Sequence, residues 1–309
     1  MPERLDGATA STGFCVLRPQ ASKLDASYLF HWVQSAEFVD DMVRKATGAS
    51  YPAVSDKIIA QSEIPLPPLA EQKRIAAILD QADDLRRKRQ RAIDRLNQLN
   101  QAIFHEMFGN QRSCVNISEY IEDIQSGKNL VGVEEDQSAG FRVLKISAVS
   151  RTGFRPLETK PLPASYTPPK EHLVADGDLL FSRANTTELV GIPCIVEGVS
   201  GNVALPDKLW RLVPSPSKAN RLFLNFALRA SSARMQIERM CSGTSGSMQN
   251  VSMQKFKTIE VPRATLAEQK IFADKALNVA TLCQKAVAES RKLDALFQTL
   301  QHRAFRGEL

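Results

Sequence analysis

The chain has 309 residues, 43% of them hydrophobic, and a formal net charge of +6 with a pI near 9.1. This length allows one large core or two to three smaller ones, and the basic excess permits a polyanionic partner. No stretch approaches the ~20 apolar residues of a membrane span, and five scattered cysteines without a CxxC pair support neither a disulfide framework nor a zinc site. The start lacks the apolar run of a signal peptide, so we expect a cytoplasmic protein.

The first third of the chain predicts a small mixed segment followed by a long helix. Residues 1–68 contain the strand-like stretch "FCVLRP" and an apolar helix over Tyr28–Val43. Over residues 70–108, apolar side chains recur every three or four positions and are interrupted at Arg89, which predicts a long helix with a coiled-coil seam. The predicted seam consists of Ile75, Ile78, Ala82, Leu85, Ala92, Leu96, Leu99 and Ile103.

The middle of the chain, residues 110–262, predicts an α+β globular domain. Short β-rich runs such as "FRVLKISAV", "DLLFSR" and "IPCIVEG" alternate with Gly and Pro turns, and a helix is predicted from about Arg221 to Met240. The small polar loop "SGTSGSMQN" follows. A second long helix is then predicted over residues 266–305, with the seam Phe272, Val279, Leu282, Ala286, Leu293, Leu296 and Leu300.

An internal repeat links the two long helices. The letters "LAEQK" occur at residues 69–73 and again at 266–270, a shift of 197 (266 minus 69), and this register gives 13 identities in 40 positions without a gap. The match extends backwards, so residues 14–108 and roughly 209–305 are two copies of one unit. Two helices of equal length with matching seams should pack against each other as a coiled coil. The alternative is that each helix only covers a globular core.

The motifs resemble one protein family. "IPLPPLAEQKRIAAILDQADDL", followed by a long helix and a globule with "DGDLLFSRANTTELVG" and "GTSGSMQNVS", is similar to the specificity subunits of type I restriction-modification enzymes. The resemblance implies two target recognition domains, each followed by a long helix, with the helices antiparallel in a pseudo-two-fold α+β arrangement. It divides the chain into a partial first recognition domain, a first spacer helix, a second recognition domain and a second spacer helix, at residues 1–68, 69–108, 109–262 and 263–309.

The first recognition domain departs from the family pattern. The second domain starts near Gln111, whereas the first copy starts only at the equivalent of about residue 195, so roughly 85 residues (195 minus 111) are missing. Three explanations remain open: a truncated gene product, a wrongly assigned start, or half of a split subunit.

The resemblance implies a DNA-recognition subunit without a catalytic role. Such a chain reads a half-site of a bipartite target on double-stranded DNA, and its paired helices set the spacing between half-sites. The repeat suggests docking of two methylation subunits, and restriction subunits would join through the complex. The alternative from another class is a truncated coiled-coil interaction protein that does not bind DNA.

The sequence contains no recognisable catalytic motif. A related adenine methyltransferase would show Asn/Asp-Pro-Pro-aromatic, but "LPPL" and "TPPK" end without an aromatic residue. A cofactor-binding GxG and a P-loop are also missing, and Gly127-Lys128 lacks the required first glycine. A nuclease needs clustered carboxylates to hold a metal ion. Asp176 and Asp178 lie close together, but their stretch "ADGDLLF" is typical of a turn entering a buried strand. We therefore expect no catalytic residue, no metal site and no cofactor.

Candidate DNA-binding residues lie in the loops of the second domain. Lys, Arg, Asn, Gln and small polar side chains are suited to phosphate and base-edge contacts. The candidates are Lys145, Ser147, Arg151, Arg155, Arg183, Asn185, Lys208, Ser245, Ser247, Gln249 and Asn250. The alternative is that they are ordinary solvated loop residues. The basic run "RRKRQR" at Arg86–Arg91 is accompanied by Asp83, Asp84 and Asp94, so we expect a solvated or partner-facing surface there.

Overall fold

The computed structural model describes residues 9, 11, 13–48, 51–110, 113–128, 140–242 and 248–309. The chain forms two compact units: residues up to Arg95 together with Leu282–Leu309, and Leu96–Thr281. Both long helices therefore contribute to both units. Within the described residues, no helix is long and apolar enough to cross a membrane. The helices are α1 (Ala26–Val33), α2 (Ala36–Lys45), α3 (Asp56–Ala60), α4 (Leu69–Phe104), α5 (Arg221–Arg229), α6 (Ser231–Met240), α7 (Met253–Lys257) and α8 (Leu266–Phe305).

The second unit carries the β-structure. The strands are β1 (Cys114–Asn116), β2 (Ile121–Ser126), β3 (Arg142–Leu144), β4 (Val149–Ser150), β5 (Gly153–Phe154), β6 (Thr159–Pro161), β7 (Leu179–Ser182), β8 (Ala184–Asn185), β9 (Pro193–Ile195), β10 (Val203–Ala204), β11 (Leu209–Pro214), β12 (Gln249–Asn250) and β13 (Glu260–Pro262). A four-stranded antiparallel sheet has the order β2-β11-β7-β9, a three-stranded sheet has the order β10-β3-β6, and the other described strands form three two-stranded ladders.

Aromatic side chains form the core of each unit. In the first unit, Phe305 near the end of α8 lies edge-on to Tyr28 at 5.2 Å and to Trp32 at 5.0 Å, between ring centroids. In the second unit, Phe108 takes the equivalent place after α4 and lies 5.0 Å from Phe223 of α5. Each core thus combines short helices, the start of one long helix and the end of the other. Buried aromatic pairs of this kind contribute both apolar area and preferred edge-to-face geometry.

A buried glutamine explains the repeated LAEQK segment. In the first unit, Gln72 Oε1 accepts from the Asp25 N–H at 2.9 Å, and Nε2 donates to the carbonyls of Lys23 and Pro67 at 2.9 and 2.8 Å. Asp25 in turn caps α1 by accepting from two N–H groups of its first turn. The side chain of Gln72 is fully buried, so these bonds satisfy polar groups that would otherwise lack partners.

The second unit repeats this arrangement. Gln269 Oε1 accepts from the Asn220 N–H at 2.8 Å, and Nε2 donates to the carbonyls of Lys218 and Ala264, both at 2.9 Å. Asn220 caps α5 as Asp25 caps α1. Each glutamine therefore fixes a short capped helix to the first turn of a long helix.

The long helices run antiparallel, as predicted. In the first unit, Arg86 pairs with Asp294 at 2.7 Å and Arg89 pairs with Glu289 at 3.1 Å, so partner numbers fall as residue numbers rise. Arg86 also lies over the Phe297 ring, with its guanidinium carbon 4.4 Å from the centroid. The run Arg86–Arg91 is thus partly engaged in ion pairs rather than free.

The predicted seam is only half right. Each heptad of the predicted seam on α4 has two apolar positions. The first position, at residues 75, 82, 89, 96 and 103, is buried or half-buried, as predicted. The second position is occupied by residues 79, 86, 93 and 100 and not by the predicted residues 78, 85, 92 and 99. The same one-residue error occurs on α8, where residues 276, 283, 290 and 297 replace the predicted positions. The leucines at the mispredicted positions are between 40% and 66% exposed: Leu85, Leu99, Leu282 and Leu296. Charged and polar residues in the seam caused the error, because Arg86 lies inward through its contacts with Asp294 and Phe297.

Three further predictions are corrected. The predicted helix Arg221–Met240 is two helices, because Ala230 is extended with φ −60° and ψ 146°. The predicted helix Tyr28–Val43 is also two, since Ser35 begins α2 by capping the Phe38 N–H. "FCVLRP" is not a strand: residues 14–19 have no regular structure, and Phe14 is 73% exposed. Its equivalent β11 is a strand because β2 and β7 pair with it on both sides.

The glutamine contacts predict a selective loss of stability. Gln72→Leu should lower the free energy of unfolding of the first unit by about 1–3 kcal/mol, because it leaves buried backbone groups without partners. Gln269→Leu should do the same to the second unit. Trp32 and Trp210 lie in different units, so urea unfolding followed by fluorescence in Trp210→Phe and Trp32→Phe backgrounds reports each unit. The exposed Gln81→Leu in the first unit and Gln98→Leu in the second serve as controls, and losses equal to these controls would contradict the assigned role.

The exposed apolar residues of the first unit predict uneven protease sensitivity. Limited proteolysis of the chain without partners should cleave within residues 13–68 before it cleaves within residues 140–242, because residues 14–19 have no regular structure and Phe14, Val16 and Tyr51 are exposed. Mass spectrometry of the first fragments locates the cuts. Equal resistance of the two segments would show that the exposed surface does not weaken the first unit.

Candidate nucleic-acid interface

Five of the predicted DNA-binding residues meet at or beside one two-stranded ladder. Strands β8 and β12 pair antiparallel, with Asn185 opposite Gln249 and Ala184 opposite Asn250. The backbone of Asn250 also exchanges two hydrogen bonds of 3.1 Å with Ser242. Residues directly opposite each other in a ladder present their side chains to the same face. Asn185 and Gln249, which lie 64 positions apart in the chain, therefore form a neighbouring pair of amides.

Arg183 lies at the edge of this ladder. Its Nε donates to the Asp207 carbonyl at 2.8 Å, and its guanidinium carbon lies 5.8 Å from the centroid of the Trp210 ring. Its backbone N–H donates to the Lys208 carbonyl at 3.2 Å, which brings Lys208 to the same place. The guanidinium has five donors, and one of them orients it. Within the described residues, neither Nη atom has a hydrogen-bond partner, so the fork can contact a ligand.

Asn185 is partly engaged by its own neighbours. Its Nδ2 donates to Ser182 Oγ at 3.2 Å, and its Oδ1 accepts from the Thr186 N–H at 2.9 Å. An amide has two donors and two acceptor lone pairs, so one donor and one lone pair remain for a base edge.

Sequence reasoning missed Lys128. The backbone N–H of Gly127 donates to the Pro206 carbonyl at 3.2 Å, and a Cβ at Gly127 would lie 1.6 Å from the Leu205 carbonyl oxygen. Only glycine permits this approach, which places Lys128 beside the turn that carries Lys208. Lys128 Nζ lies 5.9 Å from the centroid of the Tyr166 ring. The available signal was the Gly-Lys pair, which the structure places directly after β2.

A second group of predicted residues lies on the turn at Ile146–Ala148 and on the β4–β5 hairpin. Lys145 and Arg155 are exposed there. The hydroxyl of Ser147 donates to Glu158 Oε2 at 2.7 Å, so its only donor is already used. Arg151 lies at the tip of the hairpin and donates to the Glu188 carbonyl at 3.1 Å. The structure does not bring these residues into the β8–β12 group.

Ser245 and Ser247 lie outside the described residues.

The two aspartates weighed as possible metal ligands make contacts within the protein. Asp178 pairs with Arg211 at 2.8 Å and accepts from the Ala175 N–H, while Asp176 accepts from the Val199 N–H. Across the part of the chain that the structure describes, no cluster of three or more His, Cys, Asp or Glu residues could hold a metal ion. The arrangement at β8–β12 offers hydrogen-bond donors, amides and positive charge, which suit contacts to base edges and phosphates.

Comparison with known proteins gives consistent matches. Residues 4–98 match the type I restriction modification DNA specificity domain. The chain is 26% identical over 321 residues to the EcoKI specificity subunit of Escherichia coli strain K12, covering 96% of this chain and 68% of that protein. It is 25% identical over 311 residues to the MjaVIII specificity subunit of Methanocaldococcus jannaschii, covering 93% of this chain and 71% of that protein.

A solved chain supports the same fold. A structure described for complex assembly and conformational transition of the type I R-M system superposes with a TM-score of 0.60 at 21% identity, over 97% of this chain and 75% of that chain. The domain match, the two relatives spanning most of the chain and the repeated helices agree with one another. Residues 4–98 match the specificity-domain family, and over more than 90% of its length the chain is similar to type I restriction enzyme specificity subunits.

Proposed function

We propose that this chain recognises a DNA sequence on behalf of a type I restriction-modification complex and performs no catalytic step itself. The observation that carries the proposal is the convergence of Arg183, Asn185, Lys208 and Gln249 at the β8–β12 ladder. Direct reading of bases needs amides and guanidinium forks on a rigid support. A short ladder held by strands and turns provides that support, and the family's role accounts for its use.

Each member of this group has a distinct task in the proposal. The Nη fork of Arg183 suits the two acceptors of a guanine in the major groove, and the amides of Asn185 and Gln249 suit an adenine. Lys128 and Lys208 carry flexible positive charges beside the same turn, which suit phosphates. The second unit would then read one half-site of a bipartite target. The competing proposal, a coiled-coil interaction protein without DNA binding, gives these residues no task.

We further propose that two methylation subunits dock on the chain in the cytoplasm, with restriction subunits joining through the complex. Support comes from the exposed leucines of the long helices. Leu85 and Leu282 occupy equivalent places in the repeat, as do Leu99 and Leu296, and all four are exposed. An apolar side chain that is exposed at the same place in both copies favours two equal contacts with two copies of one partner.

The first functional prediction concerns base contacts. Arg183→Ala, Asn185→Ala and Gln249→Ala should each weaken binding of the assembled complex to its cognate duplex by a factor of about 5 to 150, since one base contact contributes about 1–3 kcal/mol. Binding to a scrambled duplex should change less, so sequence preference falls. Fluorescence anisotropy with both duplexes measures this. If all three variants keep wild-type affinity and preference, the reading face lies elsewhere on the domain.

A matched lysine pair separates base contacts from phosphate contacts. Lys208→Ala should weaken binding to all duplexes and flatten the dependence of log K on log salt by about one unit. Lys218→Ala is the control, because Lys208 precedes β11 and the exposed Lys218 follows its far end. Lys145→Ala tests whether the hairpin group also contacts phosphate.

The second functional prediction concerns partner number. In native mass spectrometry of the chain produced together with its methylation subunit, wild type should carry two copies. Leu85→Ser with Leu99→Ser should reduce this to one, and Leu282→Ser with Leu296→Ser should have the same effect, because each pair removes about 3–6 kcal/mol of apolar burial. Leu157→Ser, on a leucine of the second unit that is 92% exposed, should leave two copies bound. Two copies on all variants would exclude these leucines as docking sites.

A further inference from the structure

Three arginines that are not part of the proposed reading site at the β8–β12 ladder line a cleft in the second unit. It has a volume of about 460 Å³ and lies beside the start of α6. Arg151 of the β4–β5 hairpin, Arg229 at the end of α5 and Arg234 of α6 line it, together with Gln101, Ser231 and Glu238. The question is why three guanidinium groups share one cleft.

Backbone carbonyls, rather than carboxylates, hold these arginines. Arg229 donates to the carbonyls of Arg151 and Pro193, both at 2.8 Å, and Arg234 donates to the Val190 carbonyl at 2.6 Å. Arg151 donates to the Glu188 carbonyl. Carbonyls orient a guanidinium but do not neutralise it. Each arginine is therefore fixed in place with its positive charge retained.

Among the described residues that line the cleft, the one carboxylate does not balance the charge. Glu238 Oε1 lies 3.8 Å from Arg234 Nη2, and its side chain is more than half exposed, so it contributes little. Burial lowers the pKa of Arg229 and of Arg234, and the charge of Arg151 lowers the pKa of Arg234 further while Glu238 raises it. The cleft thus holds an excess of positive charge at a partly desolvated place, where a bound anion would be stabilised.

The internal repeat shows that this cluster is not required by the fold. The residues of the first unit that correspond to Arg229 and Arg234 are Gln34 and Val39. Ser35 caps α2 there, whereas its counterpart Ala230 provides no side-chain cap for α6. The first turn of α2 is thus capped by a side chain, whereas the first turn of α6 has no side-chain cap and lies beside the arginines of the cleft. Free N–H groups at a helix start add donors for an anion.

We infer that this cleft binds a phosphate group through Arg151, Arg229 and Arg234. The inference deepens the proposed function and rests on it for the source of that phosphate, which is the DNA backbone. A phosphate has several acceptor oxygens and matches guanidinium forks geometrically. Strand β8 ends at Asn185, and the Val190 carbonyl that holds Arg234 follows it by five residues. One short segment of the chain therefore connects the reading ladder to the proposed phosphate site.

The test compares two arginines with the same local bonding. Arg151 and Arg221 are both exposed, and each donates to one backbone carbonyl, of Glu188 and Gly177 respectively. Arg221 starts α5 and Arg229 ends it, so Arg221 lies outside the cleft. Wild type, Arg151→Gln and the control Arg221→Gln are each measured in two assays. The first is thermal unfolding in sodium phosphate against sodium chloride at equal ionic strength. The second is duplex binding by the assembled complex as a function of salt.

We expect phosphate to raise the unfolding temperature of wild type and of Arg221→Gln above its chloride value, and to raise that of Arg151→Gln less. The salt dependence of duplex binding should flatten by about one unit in Arg151→Gln only. As a further check, a single methylphosphonate placed along the duplex should weaken wild type at one position and leave Arg151→Gln unaffected there.

The outcomes are distinguishable. A phosphate effect on unfolding that Arg151→Gln reduces, without any change in salt dependence, keeps the phosphate site and assigns it to free phosphate instead of DNA. Loss of neither effect in Arg151→Gln overturns the inference while the proposed function stands. Absence of duplex binding by the wild-type complex would instead defeat the proposed function, and the unfolding assay would still decide the cleft.

Discussion

The amide of one buried glutamine in each copy determines how the rest of the chain is arranged. An amide offers one acceptor oxygen and two N–H donors, and its surroundings supply one N–H and two carbonyls. A carboxylate would lack the donors, and a leucine would satisfy none of the three groups. Because the N–H belongs to the capping residue Asp25 or Asn220, each bond also orients a short helix. Aromatic rings of those helices, Tyr28 and Phe223, then receive Phe305 and Phe108 from the ends of the opposite long helices.

The sequence predicted the two long helices, but it predicted only one of the two positions per heptad that form the seam between them. The second long helix, Leu266–Phe305, has the predicted end, and the first, Leu69–Phe104, continues as a π-helix over His105–Gly109. Proline and glycine mark these limits. Counting apolar letters favoured leucines at the second heptad position. The true occupants include Arg86, which is drawn inward by Asp294 and the Phe297 ring. Which polar residue can lie in a seam depends on its partner in the other helix, and single-helix periodicity does not contain that partner.

The residue types of the candidate site were predictable, but their grouping was not. Asn185 and Gln249 are 64 residues apart and become neighbours only through the β8–β12 ladder. Lys128 joins them because Gly127 lies against the 205–208 turn, a contact decided by the approach of two backbones. Arg151 and Ser147 have suitable chemistry but lie elsewhere. Long-range strand pairing thus selects among residues that local reasoning treats as equal.

The two copies of the repeat share their helices but differ in their strands. Helices recur at equivalent places, because their hydrogen bonds and caps close within a few residues, as with Asp25 and Asn220 or Ser55 and Ser252. Among the described residues, the strands of the second unit have no strand counterpart in the first, and the isolated bridge Thr47–Ala53 is the equivalent of Ser242–Asn250. "FCVLRP" and β11 occupy equivalent places, yet Phe14 is largely exposed and its counterpart Leu209 is fully buried. Strand hydrogen bonds need partners from distant segments. In the second unit β2 and β7 supply them, so the same pattern of apolar residues becomes the centre of a sheet there and unpaired chain in the first unit.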